Sequence, residues 1–218
     1  MKLHILGGPG SGKTTLAAEI ATRFDIPHHD LDKLLWKHGT QTAGCIDDAF
    51  TIARQPDWVT ENIGVIWIDP LLYQADCIVL LEVSWPVAAW RIIRRHISKS
   101  LHGINPYPTR LLLPFLKDTR RYYLGKTSAD PAIERATCEY LEEQAEMTEP
   151  DAKVLLRRFE KCLKTIPLTA EFTRSYLEKY QEKLFIVRND ADRARLFELL
   201  AKMESRNTLP GSLEDLST

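Results

Sequence analysis

The sequence predicts an α/β protein: a three-layer sandwich with a parallel sheet between helices, plus a helical insertion. Three observations predict it. Short apolar runs alternate with stretches of helical periodicity along most of the chain. The run at 76–83 (Asp-Cys-Ile-Val-Leu-Leu-Glu-Val) is continuously apolar at its centre, as a strand covered on both faces must be. A glycine-rich turn joins the first apolar run directly to the first amphipathic one.

The elements follow in order. Residues 2–6 (Lys-Leu-His-Ile-Leu) read as a short buried strand, and 15–24 as a helix with Leu16, Ile20 and Phe24 on one stripe. A short connection or strand at 25–29 leads into His28-His29-Asp30-Leu31-Asp32, a helix or turn begins at 33–37, and 38–44 is loop-like. Residues 47–54 form a helix with Ile46, Phe50 and Ala53 on one face, ended by Pro56. A third strand is expected at 57–62 and the strongest at 76–83. A helix at 86–98 follows, proline in its first turn and Trp90, Ile93 and Ile97 inward. Residues 101–114 are rich in proline and turn formers, so about 98–127 is expected to be a mobile lid segment.

The stretch of about 130–180 is helical, broken near Glu149-Pro150 and at Pro167. Its apolar Ile133, Tyr140, Leu155, Leu156, Phe159 and Leu163 indicate a packed insertion, against its own domain, a partner or as an enlarged lid. A last strand at 183–187 and a helix from Ala191 to about Met203 complete the domain over 1–203, with 204–218 a polar, frayed tail.

Composition narrows the classes. The 218 residues suit one α/β domain with an insertion or small lid, and 44% apolar content suits a buried core. A formal charge of −1 argues against a general nucleic-acid-coating surface. Cys45, Cys77, Cys138 and Cys162 show no C-x-x-C or zinc spacing and read as reduced thiols. With no leader and no apolar run of spanning length, the expectation is a soluble cytoplasmic protein with no membrane partner.

The glycine-rich turn carries the chemistry. Gly7-Gly8-Pro9-Gly10-Ser11-Gly12-Lys13-Thr14 fits G-x-x-x-x-G-K-[ST] without a mismatch, between a strand and a helix. Such a loop turns backbone N–H groups inward around an anion at a helix N-terminus. Lys13 would then reach the β- and γ-phosphates, the Thr14 hydroxyl would ligate Mg²⁺, and Thr15 would complete the cradle. The pattern implies nucleoside-triphosphate binding.

With Asp-x-Asp at 30–32 and the 76–95 segment, the chain resembles small P-loop kinases of the adenylate-kinase-related group, which includes shikimate and gluconate kinases. It is most similar to the adenylate-kinase-like "DNA topology modulation" proteins. The matching text is 6–17, Ile-Pro-His-His-Asp-Leu-Asp-Lys-Leu-Leu-Trp at 26–36, Trp58-Val59-Thr60-Glu61-Asn62, 75–81, and Trp90-Arg91-Ile92-Ile93-Arg94-Arg95. The resemblance implies a P-loop NTPase fold, ATP and Mg²⁺ as cofactors, and transfer of a phosphoryl group to a hydroxyl of a nucleoside, nucleotide or other small metabolite.

It also implies roles. Asp32 becomes candidate base or hydroxyl anchor, with Asp30 beside it near the metal. If both lie on an extended segment, residues two apart face one way. A polar turn capping the next helix explains the pair too, and a metal cluster of His28, His29, Asp30 and Asp32 is conceivable. Glu61 stands where the group carries the Mg²⁺-holding Asp of an Asp-Gly pair, with Asp69 as rival. Arg91 and Arg95 become candidates to neutralise the transferred charge, Arg120 and Arg121 weaker ones, against the alternative of a solvated basic face. The turn after the third strand, Asn62-Ile63-Gly64-Val65, lacks the arginine that grips a monophosphate acceptor, which favours an unphosphorylated hydroxyl compound. Arg188-Asn189-Asp190 matches the adenine-edge region by position, or simply caps a helix. A nucleotide-dependent switch acting on DNA or a protein partner is the competing class. A guanine-specific GTPase would need Asn-Lys-x-Asp, which does not occur.

Overall fold

The structure is a computed structural model describing residues 1–38, 42–63, 67–126 and 130–208. In chain order the elements are β1 (Lys2–Gly7), α1 (Lys13–Phe24), β2 (His28–Asp30), α2 (Leu31–His38), α3 (Thr42–Ala53), β3 (Trp58–Asn62) and α4 (Asp69–Gln74). Then come β4 (Cys77–Leu81), α5 (Trp85–Leu101), α6 (Leu112–Leu124), α7 (Pro131–Glu146), α8 (Ala152–Thr165), α9 (Ala170–Leu177), β5 (Leu184–Val187) and α10 (Asp190–Thr208). Short 3-10 turns precede α6 and β5.

All five strands are parallel, in the order β2-β3-β1-β4-β5. Two apolar clusters flank this sheet. On one face α3, α4 and the helices of the insertion bury Ile46, Trp67, Leu71, Tyr140, Leu155 and Tyr176 against Trp58 and Ile78. On the other, α1 and α10 bury Leu16, Ile20, Phe197 and Leu200 against Leu3, Ile5 and Val79. Strands covered on both faces are continuously buried, as β3 and β4 are, which explains why β4 reads as an unbroken apolar run. Each large apolar side chain taken out of water contributes about 1.5–3 kcal/mol.

The insertion thus packs on the sheet of its own domain. Its breaks are locally encoded. Asp130 accepts from the Ala132 N–H at 2.8 Å to start α7 ahead of Pro131, and the Thr169 hydroxyl accepts from the Phe172 N–H at 3.0 Å to start α9.

Several expectations change. Residues 42–44 belong to α3 rather than to a loop, while 39–41 lie outside the described residues. Helix α4 is not among the expected elements, although Asp69 and Pro70 in its first turn are a helix-start signal, and most of the apolar run before it (64–66) is outside the description. Trp90 and Ile97 are 64% and 52% exposed, and Ala88 is the buried residue of α5; their spacing marks the outer stripe of the helix. The 98–127 segment is largely helical, a hairpin of α5 and α6. The last helix runs on to Thr208, and 209–218 lie outside the description, as does the Leu163 side chain.

Candidate active site

The loop between β1 and α1 sits at the carboxyl ends of the central strands. Gly7 is in register with Leu81, and Ile5 with Glu61. Glycine is required at two turns of it. Gly10 has φ +79° and a Cβ there would lie 2.8 Å from the Ala88 carbonyl oxygen, while Gly12, at φ +104°, opens α1. No side chain caps that helix start, so its first N–H groups are left to a ligand.

Glu61 lies at the end of β3, 1% exposed, and its Oε1 accepts a hydrogen bond from the Thr14 hydroxyl at 2.8 Å. Its Oε2 is buried without a hydrogen-bond partner, as is Ser11 Oγ. Lys13 is buried and turns its ammonium back onto the Gly8 carbonyl oxygen at 3.3 Å. Burial pushes the Lys13 ammonium down from its ordinary range; Glu61, Asp32 and Asp30 pull it up, and Arg95 adds to the depression. Burial pushes the Glu61 carboxyl up, opposed by the Thr14 hydrogen bond and by Lys13. Asp32 is likewise raised by burial, with Lys13 opposing.

Parallel register puts Asp30 beside Glu61 on neighbouring strands. Asp30 also accepts from the Lys33 N–H at 3.3 Å, so it caps α2 as well. Asp32 lies in the first turn of that helix, not on an extended segment; the period-two argument fails, and the helix turn itself carries Asp32 toward Lys13. Arg91 donates to the Ser11 carbonyl oxygen at 2.8 Å. Arg120 and Arg121 are exposed, and Arg121 pairs with Asp118 at 3.6 Å.

Other candidates lie elsewhere. Asp69 is fully buried on the insertion's side of the sheet, where Tyr176 donates to its Oδ1 and Arg158 stands 4.0 Å from its Oδ2. Among the described residues no three His, Cys, Asp or Glu side chains gather as a metal-binding group, and His29 instead meets Gln55 at 3.1 Å. Asn189 caps α10 through the Asp192 N–H at 2.9 Å, and Arg188 pairs with Glu82 at 2.9 Å.

A Mg²⁺-nucleotide fits this donor set. Magnesium takes few protein oxygens and completes its shell with phosphate and water, and the Thr14 hydroxyl with the free oxygen of Glu61 offers that kind of partial shell.

Three features escaped sequence reasoning. Tyr123 donates to the Pro9 carbonyl oxygen at 3.1 Å, and Tyr122 is buried beside it, so a Cβ on Gly8 would lie about 2.5 Å from Tyr122 and 2.6 Å from Tyr123. With Trp85 they wall a cavity of about 450 Å³ opening at Gly8. Behind the loop, His4 is fully buried on β1 with its Nδ1 2.6 Å from the Thr60 hydroxyl; burial, then Lys13, lowers its pKa to about 3. A titratable residue inside an apolar strand was the available signal for His4. A tandem tyrosine at a helix end gave none.

No protein-family model and no curated protein matches the chain. Among solved structures it is similar to the shikimate kinase of Aquifex aeolicus, at 12% identity and TM-score 0.35, over 56% of this chain and 79% of that one. The shikimate kinase of Bacteroides thetaiotaomicron gives 17% and 0.40 over 67% and 99%. That of Acinetobacter baumannii in complex with shikimate gives 17% and 0.37 over 75% and 94%. With likenesses this distant, the reading below rests on the site itself.

Proposed function

We propose that the protein is an ATP-dependent phosphotransferase that moves the γ-phosphoryl group to a hydroxyl of a nucleoside, nucleotide or other small metabolite. One observation carries the reading: a buried lysine in a phosphate loop faces a strand-end carboxylate that holds the loop's threonine with one oxygen and leaves the other unpartnered.

In this reading the loop N–H groups and Lys13 hold the triphosphate, and Thr14 with Glu61 holds Mg²⁺, with Asp30 nearby. Bound there with ATP, the ion would supply neutralisation of phosphate charge. Asp32 orients the acceptor hydroxyl and takes its proton as the oxygen bonds to the γ-phosphorus and the bond to the ADP oxygen breaks. Its raised pKa suits it to that exchange. Arg91, already fixed on the loop, and Arg95 stabilise the charge on the transferring group. Tyr123, hydrogen-bonded to the Pro9 carbonyl oxygen, and Tyr122 brace one side of the loop.

The test is ADP release from Mg²⁺-ATP across nucleosides, nucleotides, sugars and hydroxy acids, with Lys13→Ala and Asp32→Asn run beside the parent. One acceptor class should stimulate turnover and both variants should lose it. A slow basal rate with every acceptor, while ATP still binds through Lys13, would instead favour a nucleotide-dependent switch.

A further inference from the structure

The α5–α6 hairpin is unlike the rest of the molecule. Residues 85–126 hold nine lysines and arginines against one acid, Asp118, in a chain whose formal charge is −1. Ten of the thirteen large apolar side chains exposed among the described residues also lie there. The densest group is at the turn: Leu101 (81% exposed), Ile104, Tyr107, Leu111 and Leu113 (76%). Lys99, Arg110 and Lys117 stand around that tip.

Each helix repeats one outer stripe: Trp90, Arg94, Ile97, Leu101 on α5 and Leu113, Lys117, Arg120, Leu124 on α6, at i, i+4, i+7, i+11. None of these cations is used by the phosphate loop. A contiguous apolar cap ringed by cations is not what a solvated face needs.

We propose that the tip of this hairpin docks on an anionic lipid surface, its apolar side chains entering the headgroup boundary and its cations meeting lipid phosphates. The charge chooses among occupants. A symmetric pairing of two hairpins would set two strongly cationic faces together. Nucleic acid would satisfy the cations and the tyrosine, but Leu101, Ile104, Leu111 and Leu113 have no stacking surface to offer bases. A bilayer interface accepts both kinds of side chain. The attachment is peripheral, since among the described residues no helix is long and apolar enough to cross a membrane. It departs from the sequence expectation of no membrane partner, which rests on the lack of a leader and of a spanning run and does not consider a peripheral surface.

Co-sedimentation of the full chain with vesicles tests this. Vesicles of phosphatidylcholine with about 30% phosphatidylglycerol should pull the protein down, and phosphatidylcholine alone should not. Leu101→Ser with Leu113→Ser removes apolar contact and keeps charge; Arg110→Glu with Lys117→Glu does the reverse. Each pair should weaken binding about tenfold or more and leave ATP binding unchanged. No sedimentation, or equal sedimentation of parent and both variants, overturns the proposal. So does retention of a DNA duplex with vesicles ignored, or a self-association in light scattering that Leu101→Ser with Leu113→Ser abolishes without lipid.

Discussion

Two buried charged clusters lie on this sheet, and they differ in what meets their charges. At the phosphate loop, Lys13, Glu61 and Asp32 crowd together, yet Glu61 Oε2 and Ser11 Oγ have no partner and the ammonium falls back on a backbone carbonyl. Under the insertion, Asp69 Oδ2 and Arg158 Nε also lack hydrogen bonds, but each stands opposite a charge, Arg158 at 4.0 Å from Asp69 and Glu143 at 3.9 Å from Arg158, and Tyr176 donates to the other Asp69 oxygen. Arg158 lies 4.3 Å over the Tyr140 ring and donates to the Tyr140 carbonyl oxygen at 2.9 Å, and Lys179 donates to the carbonyl oxygens of Gln144 and Met147. The first cluster is organised toward something that arrives; the second is organised toward itself. Neither buried charge nor an unpartnered atom alone marks a site, since both clusters have both; their meeting at a strand end beside a phosphate loop does.

Substitutions can break that contrast. The largest effect is expected from Lys13→Ala, which should cut acceptor-dependent ADP release by about 10² to 10³-fold. Arg158→Ala should do the opposite, costing about 3 kcal/mol of stability in urea unfolding by stranding Asp69, with ATP affinity unchanged. If Arg158→Ala instead abolished ATP binding at unchanged stability, the insertion's cluster would belong to the site.

A pH series sharpens the comparison. Burial lifts the Asp69 carboxyl from its ordinary 3.8 to about 6. The folded state therefore holds a proton that the unfolded chain releases between those values, and stability from this group falls as pH rises from about 4 to 6. The slope is at most about 1.4 kcal/mol per pH unit. Asp69→Asn should flatten it, read as melting temperature against pH; an unchanged slope would put the titration elsewhere. The smallest effect is expected from Tyr123→Phe, which loses one hydrogen bond to Pro9, about 1 kcal/mol by thermal unfolding.

Most of the frame was legible because it is local. The loop motif, the β4 run and the α1 stripe each encode themselves within about a dozen residues, and Pro150 and Pro167, which lie in the gaps between α7, α8 and α9, explain why the breaks in the insertion could be placed. The Glu61–Thr14 pairing rested on family register rather than on chemistry visible in either residue. Misreadings came where a pattern has two faces. Trp90 and Ile97 do form one stripe of α5, but periodicity does not say which stripe is inward. Asp32 departs from an extended segment because α2 begins at Leu31, two residues before the helix start that the sequence suggests. Tyr123 meets Pro9 across 114 positions, and Tyr176 meets Asp69 across 107, separations at which a single sequence carries no pairing signal.

The central position of β1 has a consequence for the chain during its synthesis. Its neighbours are β3 and β4, and β2 pairs only with β3, so no two strands can join until residue 58 has been made. Until then, the apolar face of Leu3, Ile5 and Leu6 waits without a sheet to enter. Both closures of β1 span more than fifty residues, which places the fold among those whose assembly is slowed by loop entropy. On a ribosome, this segment is a natural client for whatever shields nascent apolar strands.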